Sequence, residues 1–193
     1  MLSLAAGCGS TAPAPAAPNA PMRMDDRVLG MTGAAAMAGI ADTDESKFGP
    51  LEVGADHAAW FRAARAPFLS PTHGNRFVEV FVNDLGRAAY YTDADFPVGT
   101  VIVKTSREND AGRPGDASGP IFVMEKRALG HAPDHDDWSY AIHWASPTER
   151  QLAQLGGPIY WRGASPKVGY CSKCHDNYDR SIGGVPKEVR SIP

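Results

Sequence analysis

The sequence predicts an α+β domain, mainly antiparallel β, with a few short helices. Three observations predict it. Runs rich in Val, Ile, Phe and Tyr recur at residues 76–82, 100–104, 121–126 and 138–144, each of strand length. Clusters such as Asn83-Asp84-Leu85-Gly86 and Phe96-Pro97-Val98-Gly99 separate them as turns. The 20 glycines and 16 prolines, spread through 193 residues, leave no room for the long 3.6-period segments of a helical bundle. A net charge of −3 gives no nucleic-acid signature, and no apolar run is long enough to span a bilayer.

The N-terminal region sets the compartment. Leu4-Ala5-Ala6-Gly7-Cys8 resembles a bacterial lipobox, in which the cysteine is lipidated and becomes the first mature residue. Only seven residues precede Cys8 and none is basic, so a full signal requires a start further upstream. The alternative is a free cysteine in an Ala-rich leader. The expected organisation is a truncated lipoprotein signal over 1–8, a disordered Ala/Pro-rich tether over 9–45 and a folded domain over 46–193. The corresponding location is the periplasm or cell surface, with membrane contact through the lipid anchor only.

Within the domain, His57 to Arg65 reads as an amphipathic helix stopped before Pro67. Arg76 to Val82 reads as a strand with Phe77, Glu79 and Phe81 on one face and Val78, Val80 and Val82 on the other. Arg87 to Tyr91 follows as a short helix or turn. Thr100 to Lys104 is a second strand, residues 105–119 a polar loop, and Ile121 to Lys126 a third strand. Residues 130–137 form an acidic, histidine-bearing loop before a fourth strand over Trp138 to Trp144, on which His143 lies opposite the apolar side. Pro147 to Leu155 suits a short helix.

Cys171-Ser172-Lys173-Cys174-His175 is the most informative motif. It spells C-x-x-C-H, the attachment site of a c-type haem. Two thiols one helical turn apart match the two vinyl groups that become thioethers, and the following histidine offers its imidazole to the iron as proximal ligand. A zinc site would need two more ligands, and a redox dithiol would sit near a βαβ pattern. A single motif predicts one covalent haem c. It lies near the chain end and no Met follows Met124, so the sixth iron position is expected to be vacant or water-bound. Haem attachment also points to export, since bacteria attach c-type haem outside the cytoplasmic membrane.

A haem motif behind several antiparallel strands resembles the cytochrome P-460 and cytochrome c′-beta family. The likeness runs from about Trp60 to Tyr178. Its marks are Arg76-Phe77-Val78-Glu79-Val80-Phe81-Val82-Asn83, then Phe96-Pro97-Val98-Gly99-Thr100-Val101-Ile102-Val103-Lys104. Gly119-Pro120-Ile121-Phe122-Val123-Met124, Asp137-Trp138-Ser139-Tyr140 and C-x-x-C-H complete the ordered set. The resemblance implies a cytochrome P-460-like domain with a C-terminal haem site, a five-coordinate haem and a homodimer. Some members carry a lysine bonded to the porphyrin edge and oxidise hydroxylamine. Others have an apolar distal pocket and bind nitric oxide or carbon monoxide. The matching lysine is Lys104, which otherwise reads as a solvent-facing strand-end residue.

Other candidate residues follow. Phe77 and Phe81 could cap the iron, or be ordinary core. Glu79 between them is a pocket acid or a sign of exposure. His131 and His135 could supply an acid or base at the pocket mouth, or belong to a solvated loop. Three functions remain in view: oxidation of hydroxylamine or nitric oxide, binding of a small nitrogenous or diatomic ligand, and electron transfer to a redox partner protein. No carboxylate is convincingly placed for proton transfer.

Overall fold

The computed structural model describes residues 53, 55–144, 147–155, 159–162 and 165–191. Cys8 and the expected signal and tether lie outside these residues. Among the described residues no helix is long and apolar enough to cross a membrane.

The architecture is one antiparallel sheet with short helices against it. Its strands are β1 (Phe61–Arg62), β2 (Phe68–Ser70), β3 (Arg76–Val82), β4 (Val101–Asp110), β5 (Arg113–Ser118), β6 (Ile121–Lys126), β7 (Trp138–Trp144) and β8 (Ile159–Arg162). The order is β1-β3-β4-β6-β7-β8; β2 also pairs with β3, and β5 with β4. Among the described residues there are three short α-helices, α1 (Asp84–Tyr90), α2 (Glu149–Leu155) and α3 (Gly169–His175), besides several 3-10 turns. The mostly antiparallel α+β class read from the sequence is therefore observed.

Residues paired across an antiparallel ladder point to the same side. The pairs Val80↔Lys104, Ile102↔Met124, Lys104↔Phe122, Met124↔Tyr140 and Phe122↔Ile142 thus define one face. That face forms the main core, with Val80, Ile102, Met124, Trp138, Tyr140 and Ile142 buried on it. The opposite face carries a smaller cluster of Phe81, Val103, Val123 and Val53, with Trp60 packed against it. This second face is mixed, since Glu79, Thr105, Glu125 and Ser139 share it and are only half-buried.

Two sequence expectations are corrected. Residues 57–65 are not one helix: a 3-10 turn spans Ala55–Ala59, and Phe61 and Arg62 then pair with β3. The Ala63 amide donates to the Val80 carbonyl at 2.8 Å, and Ala63 and Ala64 are fully buried. Satisfying the free edge of β3 outweighs the helical preference of the alanines. Residues 105–119 are not a loop: β4 continues to Asp110 and returns as β5. Ala111 and Gly112 both take positive φ, the two-residue hairpin turn that matches strand twist. This hairpin extends past the core, so its residues are polar, and Pro114 is tolerated on the outer strand.

The expected turn at 83–86 is the start of α1. Asn83 caps it, its side chain accepting from the Gly86 amide at 3.2 Å and donating to the Gly99 carbonyl at 2.9 Å. Gly86 is required there, because a Cβ would lie 2.3 Å from a Thr100 methyl carbon.

Candidate functional site

A cavity of about 410 Å³ lies between the main face of the sheet, α3 and the C-terminal segment. Ile102, Lys104, Phe122, Met124, Tyr140 and Ile142 line it from β4, β6 and β7. Cys171, Cys174 and His175 line it from α3, where spacings of three and four residues put them on one helix face. The structure thus gathers Lys104, Cys171, Cys174 and His175 around one space. The size is that of an ordinary cofactor pocket.

His175 is held from behind. Its Nδ1 lies 2.6 Å from the Ser181 carbonyl oxygen. A carbonyl only accepts, so the proton is on Nδ1 and Nε2 keeps its lone pair. The Ser181 hydroxyl donates to Asp136 Oδ2 at 2.8 Å. Arg180, Ser181, Asp136 and Asp137 all take left-handed φ without being glycine, so backbone strain is concentrated behind this imidazole. Arg180 pins the segment by donating to the Ala89 and Ala94 carbonyls at 2.9 and 2.7 Å. Burial, and then Lys104, lower the His175 pKa to about 4, keeping the imidazole neutral.

A histidine that the sequence reading passed over completes the site. His73 ends a 3-10 turn over Pro71–His73 and lines the cavity. Its Nδ1 lies 2.8 Å from Ser70 Oγ and its Nε2 3.3 Å from Lys104 Nζ. The amine donates to Nε2, which leaves the proton on Nδ1. The Lys104 pKa falls to about 8, because burial outweighs the opposing effect of Cys174 and Cys171. His73 is held well below the usual histidine range by burial, then by Lys104 and His175. Burial pushes the Cys171 thiol up to about 12.

Other candidates are placed elsewhere. Phe77, Glu79 and Phe81 are on the opposite face of the sheet and do not line the cavity. Phe81 packs in the second cluster, and Glu79 pairs with Arg62. The lid and pocket-acid readings are therefore corrected: on β3 the smaller Val78 faces the cavity. His131 is exposed on its loop and outside the cavity lining. His135 pairs at 2.9 Å with Asp176, directly after the haem motif, so this loop braces α3.

The residues fit a c-type haem. Two thiols and a tautomer-fixed imidazole face a largely apolar space. The Tyr140 hydroxyl is buried on its wall, with the Ser181 side chain as its hydrogen-bonding neighbour. Zinc calls for four converging ligands, and among the described residues no three His, Cys, Asp or Glu side chains are placed to hold a metal ion.

The chain matches no protein-family model and no curated protein.

Proposed function

We propose that this chain is an exported mono-haem c-type protein of cytochrome P-460 type, acting on or binding small nitrogen species. The supporting observation is the neutral His175, with Nδ1 fixed by Ser181 and the two free cysteines beside it on the same cavity. Cys171 and Cys174 hold the haem covalently and His175 is its proximal ligand. When bound, haem c supplies an iron that binds hydroxylamine or nitric oxide and accepts electrons for a redox partner protein. Apolar residues on β4, β6 and β7 exclude water around it. Lys104 and His73 are the proton-handling groups on the far wall, in place of the carboxylate absent from the sequence reading. Lys104 is also placed on the cavity face, where a bond to the porphyrin edge would form.

Binding of nitric oxide or carbon monoxide without turnover, or simple electron transfer, is the second reading. The apolar lining favours it. Steady-state assays with hydroxylamine and an artificial electron acceptor separate the two. Turnover lost in Lys104→Met supports the enzyme, while ligand binding with no turnover in the wild type selects the second reading.

A further inference from the structure

The cavity is lined by charge of one sign. Lys104, Lys187 and Arg190 line it, and no aspartate or glutamate does. Its lining histidines, His73 and His175, are neutral because burial lowers both. A space of this size facing cations and no carboxylate is complementary to an occupant that carries negative charge. The cations are also divided between two ends. Lys104 on β4 is the cation that acts on the thiols of Cys171 and Cys174. Arg190 acts instead on the hydroxyls of Tyr90 and Tyr91, at the end of α1. Lys187 opens the 3-10 turn Lys187–Val189, which Arg190 directly follows.

Arg190 is held in place by backbone and not by an acid. Its Nε and Nη2 donate to the Val185 carbonyl at 3.3 and 2.9 Å, and Nη1 takes no part in that bond. The segment that carries it is strapped to the sheet edge. The Arg65 amide donates to the Val189 carbonyl at 2.7 Å, the Ser191 amide donates to the Ala63 carbonyl at 2.9 Å, and Ala64 pairs with Arg190. Among the described residues neither Arg190 nor Lys187 forms a salt bridge with a carboxylate. Burial raises the pKa of Tyr90 and of Tyr91, so these phenols stay neutral and do not balance the guanidinium. A planar fork of N–H donors matches a carboxylate, and the flexible Lys187 ammonium adds a point charge near it.

We propose that Arg190 and Lys187 bind the two propionate carboxylates of the haem. This rests on the haem reading above and adds the groups that fix the orientation of the ring. Vinyl and propionate groups lie on opposite edges of a haem. Thioether bonds to α3 and ion pairs to the strap therefore hold it from two sides, with the thiols and Lys104 at one end of the cavity and Arg190 at the other.

The test uses the full-length haem-loaded protein, with a heavy carbon isotope in the haem propionate carboxyls. Reduced-minus-oxidised infrared difference spectra then single out the labelled carboxylate bands. Arg190→Gln and Lys187→Gln should each shift those bands. Arg190→Lys keeps the charge and should stay closer to wild type than Arg190→Gln. Both neutral variants should also lower the midpoint reduction potential, since a nearby cation favours the ferrous state. Arg65→Gln is the control, because Arg65 holds the same strap through the Glu188 carbonyl at 3.0 Å without lining the cavity. Its labelled bands should match the wild type. Lys187 is exposed, so its variant decides the matter if Arg190→Gln, which also disturbs the Val185 bond, fails to fold. Bands at wild-type positions in either neutral variant, or shifted as far in Arg65→Gln, overturn the proposal while leaving the haem reading intact. Protein without covalent haem on a denaturing gel overturns both.

Discussion

His175 Nδ1 donates to the Ser181 carbonyl oxygen across 2.6 Å, six residues further along the chain. One short loop thus supplies both the imidazole and the group that fixes its tautomer. The cost is left-handed backbone at Arg180 and Ser181. Such strain persists only where surrounding contacts over-determine it, and Arg180 and Asp136 provide those contacts.

Ser181 variants should therefore separate strain from bonding. Ser181→Ala loses the hydroxyl bond to Asp136, at about 1 kcal/mol, and keeps the unfavourable φ. Ser181→Gly loses the same bond but relieves the φ. Urea denaturation of the haem-loaded protein should rank wild type first, then the glycine variant, then alanine. An alanine variant more stable than the glycine one would show that the φ contributes nothing.

Arg180→Ala should destabilise by about 2 kcal/mol, since a charged group loses two main-chain acceptors. The same variant should loosen the loop that orients His175. Hydrogen exchange at the Ile182 amide, which bonds to the Asp179 carbonyl, should accelerate. Unchanged exchange would mean that the loop holds its shape without the guanidinium.

The sheet faces make separable predictions. Phe81→Ala should cost about 3 kcal/mol of stability and leave the haem spectrum unchanged, because Phe81 packs in the second cluster. Phe122→Ala should perturb the spectrum and ligand binding, because Phe122 touches His73 and lines the cavity. The opposite pattern would reverse the assignment of faces.

These assignments show how far the sequence was legible. The bounds of β3, β6 and β7 were readable because β-rich runs end at turn residues. Their facing was not, because Phe81 on one side of β3 and Val78, Val80 and Val82 on the other are all buried, and periodicity cannot say which side holds the cavity. Lys104 could be placed on the face of Ile102 by counting, and both line the cavity. His73 left no periodic signal, since it sits in an irregular Pro-Thr-His-Gly turn. Only the fold brings it beside His175. The brace by Ser181 depends on backbone angles that no residue type in the motif announces.

Lys104 carries the prediction about reaction class. If the protein oxidises hydroxylamine as the lysine-linked members of the resembled family do, Lys104 should be bonded to the porphyrin edge. Burial already lowers its pKa to about 8, towards the neutral amine that such a bond requires. Peptide mapping should then find a haem peptide joining the segments around Lys104 and Cys171, with a strongly red-shifted ferrous Soret band. A free Lys104 peptide at full yield, with an ordinary c-type spectrum, would place the protein with ligand binding or electron transfer.

The central claim is that Cys171 and Cys174 hold one haem with His175 on its iron. Its most direct test is haem staining of a denaturing gel, with the protein made in a host that attaches c-type haem. The wild-type band should stain, and the Cys171→Ala, Cys174→Ala double variant should not, although the same band remains visible with a protein stain. A double variant that stains as strongly as the wild type, or a wild-type band that never stains, would contradict the account.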